Sequence, residues 1–161
     1  MKRLIIMRHA KSSWSSGANT DHARPLNKRG MRDAPRMGDA LRERGWVPEL
    51  AISSDSQRTR ETWAGVAAEL GEHIVVTFTS ALYHAGPREI AAELAELSDD
   101  IDTVIVLGHN PGWEDAVHYF SGVSTTMTTA NCALLEADGA WDELAEADAW
   151  TFVEILRPKE L

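Results

Sequence analysis

Three short segments bring together the residue types that phosphoryl transfer uses. Arg8-His9 closes the apolar run 4–7, Arg58 follows Ser53-Ser54, and His109-Asn110 comes directly after the apolar run 103–107 and Gly108. A guanidinium is a planar fork of donors that stays charged at any working pH, so it holds phosphate oxygens in pairs. A neutral imidazole is a competent nucleophile near pH 7, since its unperturbed pKa is about 6.5. The phosphorus–nitrogen bond it would form is labile, so water can release the phosphate. A second imidazole, when protonated, donates to an equatorial oxygen as charge shifts in the transition state. His9 is the candidate nucleophile, and Arg8, Arg58 and His109 are the candidate phosphate pocket. Small Ala10 and Gly108 beside the histidines are expected to let backbone approach the anion closely.

These residues matter only if the fold brings them together. Apolar runs at 3–7, 50–53, 74–78 and 103–107 read as buried strands. Helical periodicity fills the spaces between them. The stretch 28–44 follows Asn27, a good N-cap, and stops at Gly45, while 56–70 stops at Gly71. Pro87 opens a helix through Leu97, and Pro111 opens one that ends near Gly122. Strand alternating with helix predicts an α/β fold, a three-layer sandwich whose mostly parallel sheet has helices on both faces. Residues 130–137 and 150–156 read as two more strands, paired antiparallel at the sheet edge, with 138–148 as a loop or ragged helix between them. No repeat or linker interrupts the chain, so 1–161 reads as one domain.

Ligands in parallel sheets collect at the carboxyl ends of strands. Three such ends aim Arg8, His9, Arg58 and His109 at one rim. The loop 10–25 folds over it and supplies Lys11, Ser12 and Arg24. Ser12, Arg24 and Asn110 are therefore candidate substrate contacts. His22, His73 and His118 read as ordinary polar residues satisfied by backbone. A metal reading of His9 and His109 fares poorly, because zinc wants a third ligand and nearby arginines repel a dication. No cofactor is expected.

Composition narrows the function classes. The chain has 161 residues, 43% of them hydrophobic and 25% charged, within the range of globular proteins. The net charge of −9 argues against nucleic acid and acidic membranes as partners. Lys and Arg concentrate in the first 60 residues, however, and a basic pocket on an acidic chain suits a small anionic group. The lone Cys132 forms neither an internal disulfide nor a cysteine zinc site. No apolar run reaches membrane-spanning length or a signal-peptide core, so a cytoplasmic protein is expected. Of the six tryptophans, Trp14, Trp113 and Trp141 lie near predicted loops, where they suit a pocket wall, an interface or the core. The hydroxyl-rich 124–129 reads as a loop near the rim.

The three segments together resemble the histidine phosphatase superfamily, whose signature Arg-His-Gly reads here Arg8-His9-Ala10. Ser53-Ser54-Asp55-Ser56-Gln57-Arg58-Thr59-Arg60-Glu61-Thr62 is similar to the family's second block, with Asp55 in place of its proline. Val106-Leu107-Gly108-His109-Asn110-Pro111 is similar to the block holding the second histidine. The blocks span 4–113 in the family's order. Within the superfamily the chain resembles the small SixA-type phosphohistidine phosphatases, on Arg8-His9-Ala10-Lys11-Ser12-Ser13-Trp14, Asp21-His22-Ala23-Arg24-Pro25-Leu26 and the ending Leu156-Arg157-Pro158-Lys159-Glu160-Leu161. The resemblance implies a phosphoglycerate mutase-like fold, His9 as nucleophile, Arg8, Arg58 and His109 around phosphate, and Arg24 and Ser12 as added contacts. It also implies a phosphorylated protein or small phosphorylated metabolite as partner.

Two departures bear on the substrate. Relatives with a catalytic Glu after the third strand have it in a stretch that reads here Leu82-Tyr83-His84. Branches that place Asp directly after the second histidine contrast with Asn110. Both usual proton donors are missing. An alkoxide leaves slowly without an acid, whereas the imidazole of a phosphohistidine needs much less help. A phosphohistidine phosphatase is the leading expectation. A general phosphomonoester phosphatase using His84 or Glu89 as acid is the alternative, and a non-catalytic phosphate-binding module is the rival from another class. Mutase activity fits a short chain without that Glu less well.

Overall fold

The computed structural model describes residues 1–71 and 73–161. Six strands form one sheet in the order β3-β2-β4-β1-β5-β6. They are β1 (Lys2–Arg8), β2 (Leu50–Ser54), β3 (Val75–Thr79), β4 (Thr103–Gly108), β5 (Cys132–Ala137) and β6 (Thr151–Leu156). β1 to β4 pair parallel, while β5 runs antiparallel to β1, and β6 antiparallel to β5. The antiparallel edge therefore has two strands, joined through a single 3-10 turn at Glu143–Ala145 rather than a longer helix.

The continuous apolar runs follow from burial on both faces. In β1, Ile5 and Met7 face one core with Ala34, Met37, Leu41, Trp63 and Val66, while Leu4 and Ile6 face another with Ile90, Leu94, Trp113, Val117 and Phe120. Successive side chains of a strand point to opposite faces, so a central strand covered on both sides has no polar alternation to show. The first core belongs to α1 (Lys28–Glu43) and α2 (Gln57–Leu70), the second to α3 (Pro87–Ala95) and α4 (Gly112–Ser121). The three-layer α/β sandwich is thus present. No helix among the described residues is long and apolar enough to cross a membrane.

Local signals set the helix starts that matter for the site. The Asn27 side chain accepts from Gly30 N at 2.9 Å to open α1, and Ser56 Oγ accepts from Thr59 N at 3.3 Å to open α2. The second cap places Arg58 in the first turn of α2, beside the end of β2. The loop after β1 is tied back over the rim, since Asn27 N donates to Lys11 O at 2.9 Å and Ser13 N to Pro25 O at 2.8 Å. Trp113 and Trp141 are core residues, whereas Trp14 is 77% exposed.

Candidate active site

Register puts the two histidines side by side. Arg8 pairs with Gly108 across β1 and β4, so the next residue of each strand is a histidine at the same rim. His9 N donates to Gly108 O at 3.0 Å and its carbonyl accepts from Ala130 N at 2.9 Å, which fixes its backbone between β4 and the approach to β5. The His9 and His109 rings lie 5.2 Å apart, centroid to centroid. A cleft of about 300 Å³ opens there, lined by all seven candidates: Arg8, His9, Ser12, Arg24, Arg58, His109 and Asn110. Lys11, Trp14, Asp21, His84 and Thr129 complete its wall.

The tautomer of His9 follows from its partner. Nδ1 lies 2.6 Å from Ala10 O, and a carbonyl only accepts, so Nδ1 carries the proton. The neutral ring therefore has its lone pair on Nε2. Burial, followed by the charges of Arg58, Arg8 and Arg24, pushes the His9 pKa down to about 3 against the backbone hydrogen bond, which raises it. His109 is also pushed down to about 3, first by burial and then by His9 and Arg58. Its Nε2 lies 2.9 Å from Ser54 Oγ. Both rings are therefore neutral at pH 7.

Among the described residues, the buried side-chain polar atoms without a partner are Arg8 Nε, Arg58 Nε and His109 Nδ1, all at this rim. Buried polar atoms are otherwise nearly always satisfied. Their confinement to one cleft concentrates polar groups that no protein atom engages at the rim where the two histidines meet.

The guanidiniums are held by what they do not offer. Arg8 Nη1 donates to Met127 O at 3.0 Å, so Arg8 also anchors the hydroxyl-rich segment 124–129. Arg58, only 5% exposed, donates from Nη1 to Asp21 O at 2.7 Å and from Nη2 to Asp21 Oδ2 at 3.0 Å. Arg24 donates from Nε to Asp21 Oδ1 at 3.1 Å and from Nη1 to Ser12 Oγ at 2.9 Å, with Trp14 stacked 3.5 Å from its guanidinium carbon. Tyr83 donates to Asp21 Oδ2 at 2.6 Å. The Tyr83 hydrogen bond, with those from Arg58 and Arg24, holds Asp21 well below the usual carboxylate range although its desolvation opposes this.

Several sequence expectations change here. Gly108 does not open the backbone to the anion: a Cβ there would meet Trp113 Cζ2 at 2.4 Å, so the indole fills that space. Ala10 is fully buried, with its N–H donating to Thr62 Oγ1 at 3.0 Å. Asn110 borders the cleft, but its Nδ2 is occupied by Met127 O at 2.8 Å and Glu114 Oε2 at 2.9 Å. Glu89 Oε1 accepts from Gly86 N at 2.7 Å at the start of α3 and does not line the cleft. His22 is not satisfied by backbone; its Nε2 meets Asp55 Oδ1 at 2.9 Å, which gives the Asp55 departure from the family pattern a partner. His118 is exposed on α4, with Nδ1 3.3 Å from Ser124 Oγ, and His73 lies outside the cleft. Asp21 and Tyr83 carry no sequence signal of their own. Asp21 stands inside the Asp-x-x-Arg-Pro-Leu stretch at 21–26, and that spacing to Arg24 was the available clue. Among the described residues, no cluster of three His, Cys, Asp or Glu comes together to hold a metal ion.

Fold and cleft together point to a class of phosphatase whose pocket pairs two histidines with arginines. The chain belongs to the histidine phosphatase superfamily, branch 1, whose family model matches residues 4–95. An uncharacterised chloroplastic protein of Arabidopsis thaliana is 37% identical over 98% of this chain and 78% of its own. A structure from Nakamurella multipartitia, provisionally named phosphohistidine phosphatase SixA, is 29% identical, covers 98% of this chain and 96% of its own, and superposes with a TM-score of 0.87. The protein histidine phosphatase SixA in complex with tungstate shares the fold, with a TM-score of 0.85 at 21% identity over 98% of both chains.

Proposed function

We propose that residues 1–161 form one catalytic domain that hydrolyses phosphohistidine, through a covalent phosphoryl group on His9 Nε2. The observation that carries this reading is the state of the acids at the cleft. Asp21 is the carboxylate that lines it, and three donors keep that group ionised and accepting. Glu89 is absorbed at a helix start, so among the described residues no carboxylic acid is poised to protonate a poor leaving group.

Phosphohistidine does not need one. Its ring takes a proton from solvent on the nitrogen that does not bear phosphorus, and then departs as neutral imidazole. The Nε2 lone pair of His9 attacks in line, the substrate N–P bond breaks, and the bonding pair leaves with the substrate ring. Ala10 O keeps the Nδ1 proton in place, so phospho-His9 is cationic and labile. Water then attacks phosphorus, the His9 N–P bond breaks, and phosphate departs with a proton released to solvent. Arg8, Arg24, Arg58 and His109 hold the equatorial oxygens, with Ser12 orienting Arg24. The likeness to SixA proteins, one with tungstate bound, supports the same reading.

The test is incubation with a labelled phosphohistidine protein, followed by an alkaline quench. Acid-labile label on His9, lost in His9→Ala together with turnover, is the expected result. Full activity in His9→Ala would refute the mechanism. The second reading, a phosphomonoester phosphatase, draws on His84, which lines the cleft with its ring 3.9 Å from that of Tyr83. It requires alkyl phosphates to be turned over comparably and His84→Gln to abolish that activity.

A further inference from the structure

A second concave surface takes no part in this chemistry. On α1, Arg29, Arg32 and Arg36 follow at spacings of three and four, which puts them on one helical face. Lys159, in the 3-10 turn Pro158–Glu160, stands across from them over a cleft of about 280 Å³. Arg36 Nη2 ties that turn down by donating to Pro158 O at 2.9 Å. Among the described residues a single carboxylate lines this cleft, Asp33, only 6% exposed and within 3.3 Å of Arg36, 3.6 Å of Arg32 and 4.0 Å of Arg29. Three arginines share this buried anion and Lys159 adds a fourth cation to the wall, so the cleft carries excess positive charge on a chain of net charge −9. It adjoins the cleft of the two histidines: Thr129 lines both, and Arg29 Nη2 donates to Thr129 Oγ1 at 3.4 Å.

We infer that this basic cleft docks an acidic polypeptide segment flanking the phosphorylated residue of a protein substrate. The inference rests on the phosphohistidine-protein reading above. An ordinary solvated helix face balances its arginines with exposed acids. On the side facing this cleft the balancing carboxylate is buried and shared, and the more accessible acids Asp39, Glu43 and Glu160 border Arg36 on its other side. The cations are also spread out. Arg29 to Arg36 covers roughly 10 Å of helix, at about 1.5 Å per residue. Carboxylates on alternate residues of an extended chain recur about every 7 Å, which suits that spread better than one compact anion does. Side-chain exposures of 41% at Arg36 and 65% at Arg32 describe a wet rim contact that sets partner choice and encounter rate rather than a closed anion pocket.

The experiment uses the full chain and two labelled, phosphate-free peptides, one of alternating Glu and Ala, the other of alternating Gln and Ala. Fluorescence anisotropy is expected to show binding of the Glu peptide only. Arg32→Ala/Lys159→Ala should weaken it about tenfold, exposed ion pairs each contributing a few-fold, while Arg32→Lys/Lys159→Arg should stay within about twofold. In kinetics, the alanine pair should raise KM for a Glu-flanked phosphohistidine peptide about tenfold with kcat kept. Turnover of the phosphoramidate ion in the same variant should be unchanged, which also reports intact folding. Equal binding of the Gln peptide, unchanged affinity in the alanine pair, or binding of inorganic polyphosphate but not the Glu peptide would each overturn the docking surface. Failure of the phosphohistidine reading shows separately, as a wild-type protein that turns over no phosphoramidate while the anisotropy results stand.

Discussion

Arg58 meets Asp21 at two points, with Nη1 on its backbone carbonyl at 2.7 Å and Nη2 on its carboxylate at 3.0 Å. The contact occupies both Nη atoms of the guanidinium, and through Asp21 it couples Arg58 to Arg24 and Tyr83. Because these donors depress the carboxyl's pKa, their contribution is fully present above about pH 4, the unfolded carboxylate value, and is lost progressively as pH falls from there through the depressed folded value. Asp21→Asn is expected to cost about 1–2 kcal/mol of stability, given the partial exposure of the carboxylate, and about tenfold in kcat/KM as two arginines lose their common anchor. Urea denaturation and steady-state kinetics check both, and wild-type values in each would make the contact passive.

The two histidines make stability depend on pH in a defined window. Each has a folded pKa of about 3 against about 6.5 in an unfolded chain. Between those values the unfolded state binds protons that the folded state does not, so stability falls as pH drops below about 6.5 and levels off above about 7. Each ring contributes up to about 1.4 kcal/mol per pH unit within the window. NMR titration of the ring carbons should show no midpoint for either histidine above pH 5. A midpoint near 6.5 would remove the basis for a neutral His9 buried among arginines.

Arginine geometry should matter as much as charge at Arg58. Its Nη atoms are occupied by Asp21 and its Nε is buried without a partner, an arrangement a lysine ammonium cannot reproduce. Arg58→Lys is expected to lower kcat/KM about 10²-fold, the scale of losing one oriented donor to developing charge. Retention within a factor of three would mean that a point charge suffices.

Gly108 is expected to tolerate no side chain. A Cβ would lie 2.4 Å from Trp113 Cζ2, inside a ring that is fully buried and donates from Nε1 to Val106 O at 3.2 Å. Gly108→Ala should cost about 1–3 kcal/mol through overpacking and shift the near-ultraviolet circular dichroism of the indole. Unchanged spectra and stability would show that α4 yields freely.

Arg8, His9, Arg58 and His109 were legible because each stands next to a local signal. Two apolar runs end in a histidine, and the Ser56 cap starts the helix that carries Arg58. Lys11, Ser12 and Arg24 followed from the loop that must return over the same rim. Asp21 was not legible, since it is one of 25 acids and its partners Arg58 and Tyr83 lie 37 and 62 residues further along. Gly108 was misread for the same reason, as its neighbour is a ring from the next helix rather than a ligand.

The sequence by itself determined the alternation of strands and helices, the rim at which Arg8, His9, Arg58 and His109 emerge, and the lack of a carboxylic acid at either of the family's usual positions. Period, capping and strand ends are properties of a few adjacent residues, so they can be read locally. Tertiary structure alone decided the proton on His9 Nδ1, the three-way engagement of Asp21 and the burial of Asp33 beneath the α1 arginines. Protonation, pairing and the charge left over at a surface depend on which groups packing brings within about 3 Å and removes from water.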